Sequence, residues 1–84
     1  MNVDELLLEV KKELERATEL FGPFNSKHEG FAVIEEEFLE LREAVFWPHK
    51  IKDANPYEEA IQLAAMAVRL VLDTRKEDEN PSSS

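Results

Sequence analysis

Apolar residues recur at intervals of three and four in three segments of the chain, and no segment alternates apolar and polar residues with a period of two. That 3.6-residue periodicity predicts amphipathic helices and an all-α fold. The first predicted helix spans about 2–21, with Asn2 or Asp4 capping its start. Val3, Leu6, Leu7, Val10, Leu14, Ala17, Leu20 and Phe21 form its apolar stripe, and Gly22-Pro23 ends it. The second spans about 26–47, after Asn25 or Ser26 as N-cap and before Pro48. There Phe31, Ile34, Phe38, Leu41 and Val45 repeat at steps of 3, 4, 3 and 4, a narrow seam suited to packing against neighbouring helices. The third spans about 56–76. Asn55 is its N-cap, Pro56 fills the first helical position, and Glu58 and Glu59 occupy the first turn. Residues 1–76 thus read as one helical domain, and 77–84, charged and then Pro- and Ser-containing, as a flexible tail.

The third helix is apolar on nearly all sides. From Ala60 to Leu72 only Gln62 and Arg69 are polar. Such a helix must be buried nearly all round, and two other helices of this length cannot easily surround it. The expectation is a three-helix protomer that completes its bundle by homo-oligomerisation, most simply as a two-fold dimer.

Composition narrows the function classes. One domain is all that 84 residues allow, with a core that is marginal if it works alone. The absence of cysteine excludes disulfides and thiolate zinc sites. A formal net charge of −9 argues against nucleic-acid binding. No apolar run approaches the length of a membrane span. Asp4 and Glu5 interrupt the start of the chain, so no secretory signal is expected and the expected compartment is the cytoplasm.

The polar exceptions carry the candidate chemistry. Glu59, Gln62, Arg69 and Asp73 fall on one face of the third helix, with Met66 among them. A polar stripe on a buried helix must be paired or bind something. The simplest pairing is an Arg69–Asp73 ion pair beside a satisfied Gln62. On the second helix, Glu35, Glu36, Glu37, Glu40 and Glu43 crowd nine residues. Most of such a run is ordinarily a solvated face, and Glu35 and Glu43 fit that description. Glu37 borders the Ile34–Leu41 seam, at the edge of the bundle interior. Carboxylates gathered there suit a hard divalent cation, which takes oxygen ligands and completes its shell with water and phosphate oxygens.

The string Glu36-Glu37-Phe38-Leu39-Glu40-Leu41 has the E-E-x-x-E form of the first motif of the MazG-like, all-α nucleoside triphosphate pyrophosphohydrolases. Glu59-Ala60-Ile61-Gln62 falls where their second motif, E-x-x-D, is expected. The resemblance covers about residues 24–73, and the stretch from His28 to Glu37 looks like a small phage and prokaryotic subgroup. Taken together, the two motifs, their order and the alanine-rich third helix are moderately specific. The resemblance implies hydrolysis of a nucleoside triphosphate to the monophosphate and pyrophosphate. A water activated by Mg²⁺ (or Mn²⁺) attacks the α-phosphorus, in a homodimer or dimer of dimers. It makes Glu37, Glu40 and Glu59 the metal ligands, with Glu40 also catalytic. Glu36 becomes a ligand or the base that orients the attacking water.

Gln62 departs from the family pattern, because an amide oxygen can coordinate Mg²⁺ but brings no charge and cannot act as a base. Two alternatives therefore stand beside the enzyme: a nucleotide- or metal-binding module with weakened catalysis, and a non-enzymatic helical oligomerisation protein. Gln62 and Arg69 are candidate substrate contacts. In the following loop, Lys50 and Lys52 are candidate phosphate contacts and Trp47 a candidate base-stacking residue. Against these stand a Trp47 that merely plugs a helix end and lysines that soften the local charge. His28 reads first as a capping or packing residue, and Asp73 as the supporting partner of Arg69.

Overall fold

The computed structural model describes residues 1–49 and 55–79, the side chains of 77–79 excepted. Lys50 and Lys52 lie outside the described residues. Three helices form, α1 (Val3–Phe21), α2 (Lys27–Phe46) and α3 (Pro56–Glu79), with no strand among the described residues. No helix among them is long and apolar enough to cross a membrane.

Each helix starts where a short polar side chain can satisfy its orphan N–H groups. Asn2 Oδ1 accepts from Glu5 N–H at 2.8 Å, and Ser26 Oγ accepts from Glu29 N–H at 3.1 Å. Asn55 Oδ1 accepts from Tyr57 N–H at 2.9 Å, just past Pro56. Glu29 reaches back to Asn25, taking its backbone N–H at 3.3 Å and its amide N–H at 3.1 Å, which leaves no capping role for the exposed His28. Gly22 closes α1 at φ 74° and ψ −180°, and its N–H donates to Thr18 O at 2.8 Å. That backbone region is essentially restricted to glycine. Gly22→Ala is expected to cost about 2 kcal/mol, read by urea denaturation; an unchanged midpoint would contradict this backbone assignment.

α3 is the central element. Both α1 and α2 pack against it, and they do not pack against each other. Gly30 lets α2 close on α3: a Cβ there would lie 2.6 Å from Leu70 Cδ1 and 3.0 Å from Phe24 Cδ2. Ala17, Phe24, Ala65 and Met66 form the core, with Val10, Leu14, Val33, Ile34 and Leu70 around them. The α2 seam is split. Ile34 and Leu41 are partly buried, whereas Phe31, Phe38 and Val45 stay more than half exposed. On α3, Val68, Val71 and Leu72 are likewise exposed. α3 also runs three residues beyond its expected end at Lys76.

Candidate metal centre

Gly30 packs near Leu70 while Glu37 meets Gln62, so α2 runs antiparallel to α3. This brings the middle of α2 over the first turns of α3. Glu37 and Glu40 descend from α2, and Glu59 and Gln62 rise from α3. One carboxylate oxygen from each of Glu37, Glu40 and Glu59 can be chosen so that all three lie within 4.8 Å of one another. Glu37 and Glu59 are partly buried and Glu40 is exposed.

Three carboxylates at this distance repel. Burial first, and then the charges of Glu40, Glu59, Glu13 and Glu36, push the Glu37 carboxyl up to about 7. Glu59 is also raised, by burial and then by the charge of Glu40 and a side-chain hydrogen bond with it. Gln62 relieves part of the strain. With its amide nitrogen turned inward, it donates to Glu59 Oε2 at 3.2 Å and Glu37 Oε2 at 3.1 Å. With the amide reversed, its oxygen joins the three carboxylates, giving an all-oxygen donor set of the kind a hard divalent cation takes. The residues present therefore fit Mg²⁺ in donor chemistry, with one less charge than an aspartate at 62 would give.

Beside the centre lies a cleft of about 370 Å³ between α1 and α2, floored by α3. Glu36, Glu37 and Gln62 line one part, and Phe21, Phe24 and Arg16 line others. Glu13 and Arg16 were not expected at the site. Their signal was present as an i, i+3 ion pair beside Leu14 and Ala17 on the α1 stripe; Arg16 Nε donates to Glu13 Oε2 at 3.0 Å.

The Arg69–Asp73 ion pair does not form. Arg69, 2% exposed, donates from Nη2 to Gly22 O and from Nη1 to Met66 Sδ at 3.3 Å. Its guanidinium sits 4.2 Å from the centre of the Phe24 ring. Asp73 Oδ2 instead accepts from the Phe24 N–H at 2.9 Å. Both residues pin the α1–α2 connection onto α3, since the loop carbonyl, N–H and ring reach them more directly than they reach each other. Arg69 still lines the cleft, but its polar contacts are with the protein itself. Trp47 caps the end of α2, its N–H donating to Glu43 O at 2.8 Å, and its ring lies against Phe46 and Arg42 rather than in the cleft.

The fold and site together define an all-α, three-helix protein with an acidic centre between two antiparallel helices. Comparison with protein-family models, curated proteins and solved structures finds no match.

Proposed function

We propose that the chain is a Mg²⁺-dependent nucleoside triphosphate pyrophosphohydrolase working as a homo-oligomer. The observation that carries this reading is the convergence of Glu37, Glu40 and Glu59, of which Glu37 also lines the cleft. These are the positions that the resemblance to MazG-like enzymes assigns to the metal. Mg²⁺, when bound, neutralises phosphate oxygens and polarises the phosphorus centre. Glu37, Glu40 and Glu59 would hold it. Glu36, exposed at the rim, takes a proton from the attacking water. The bond from the α-phosphorus to the bridging oxygen breaks, and pyrophosphate leaves. Arg16 provides a cation in the same cleft, and Phe21 and Phe24 offer apolar surface to a nucleoside.

One observation favours a second reading, a binding module without turnover. The Gln62 amide satisfies the carboxylates through two N–H donors without any ion. A panel of nucleoside triphosphates with Mg²⁺, assayed for pyrophosphate, separates the two. Release from at least one is expected. Calorimetric binding without release establishes the module, and neither binding nor release removes both readings. Gln62→Asp is expected to tighten Mg²⁺ binding about tenfold, equivalent to about 1.4 kcal/mol. Unchanged affinity would mean that residue 62 does not face the ion.

A further inference from the structure

We propose that the outward face of α2 is the homodimer interface, formed by α2 packing antiparallel against α2 of a second copy. This rests on the homo-oligomeric reading above and on nothing in the metal centre. α2 carries two apolar faces. At about 100° per residue, Gly30, Ile34, Leu41 and Ala44 form one, on which Gly30 packs against Leu70 of α3 and Ile34 against the core. About 80° round the helix, Phe31, Phe38 and Val45 recur at seven-residue spacing and stay open among the described residues, at 61%, 54% and 54% exposure. Phe46, 66% exposed, lies farther round, beyond Glu35 and Arg42. A seven-residue apolar repeat supplies one of the two heptad positions by which one helix receives another. Large aromatics are the side chains that anchor interfaces.

Charge identifies the occupant. Glu35 and Arg42 are both exposed and flank this strip on one side, three residues before Phe38 and four after it. Arg42 also lies over the rings of Phe46 and Trp47, at 5.9 and 5.3 Å. A reversed copy centred on Phe38 places Phe38 against Phe38 and Phe31 against Val45. It also sets Glu35 beside Arg42 on both sides of the two-fold axis. The strip is therefore complementary to its own reverse.

The test uses the full chain in EDTA, so that it is independent of metal and substrate. Light scattering is expected to give twice the 9.7 kDa chain mass. Phe38→Glu is expected to weaken dimerisation by at least a hundredfold while leaving the helical circular dichroism intact. Glu35→Arg is expected to weaken it about tenfold, and adding Arg42→Glu to restore it. Because the chain has no cysteine, Phe38→Cys is expected to oxidise rapidly to a covalent dimer and Leu8→Cys, on α1, to do so slowly. A monomeric wild type would overturn both this interface and the homo-oligomeric reading. A dimer that tolerates Phe38→Glu, or equal oxidation of the two cysteine variants, would overturn the α2 interface alone.

Discussion

Glu40→Gln is expected to lower pyrophosphate release by about a thousandfold, roughly 4 kcal/mol of transition-state stabilisation, without unfolding the protein. Glu40 is exposed and belongs to none of the core contacts. Its charge raises both Glu37 and Glu59. Without a metal, then, the carboxylate works against the fold, and neutralising it relieves two neighbours. The variant should melt at or above the wild-type temperature in EDTA and lose its response to Mg²⁺. This pairing separates a functional residue from a structural one, since a structural glutamate would lose activity and stability together. Turnover within tenfold of wild type, or a lower melting temperature in EDTA, would remove Glu40 from the centre.

The second large effect concerns pH. The Glu37 carboxyl titrates near 7 in the folded chain, against about 4.3 in an unfolded one. Between these values the folded state holds a proton that the unfolded state has lost. Stability therefore falls as pH rises from about 4.3 to 7, then levels off. For a partly exposed group, solvent screening reduces the effect to about 1–2 kcal/mol. The raised Glu59 acts in the same direction. Mg²⁺ bound as proposed is expected to reverse the trend. It requires deprotonated carboxylates, and an ion at a hundred times its dissociation constant adds about 2.7 kcal/mol. Thermal melts in millimolar Mg²⁺ should thus show a large stabilisation near pH 8 and little near pH 5.5. Equal shifts at both pH values would mean that the ion binds elsewhere. Glu37→Gln should flatten the metal-free profile.

Much of this architecture was legible because the punctuation is strong. Gly22-Pro23 and Asn55-Pro56 stop and start helices for local steric and hydrogen-bonding reasons. Only the far end of α3 ran on, since the polar residues after Lys76 contain no glycine or proline to halt it before Glu79. The grouping of Glu37 with Glu59 was legible from helix faces together with the paired motifs. The roles of Arg69 and Asp73 were not. Their i, i+4 spacing suggests a local pair, but the winning partners, Gly22 O and the Phe24 N–H, lie more than forty residues away in sequence. The division of the α2 seam was hidden for a similar reason. Periodicity marks which residues are apolar, whereas Gly30 decides where α3 approaches closely.

On the proposed metal-binding reading, the Gln62 amide also sets an entry threshold. A centre already quieted by the two Gln62 N–H donors and by the raised proton affinity of Glu37 would offer little to a weakly bound monovalent ion, which would have to displace these contacts for a single unit of charge. A small divalent ion would bring more field, enough to favour turning the amide over and releasing a proton from Glu37. Discrimination between cations then comes from the contacts the ion must break as well as from those it makes, and a side chain with no charge of its own acts as the filter.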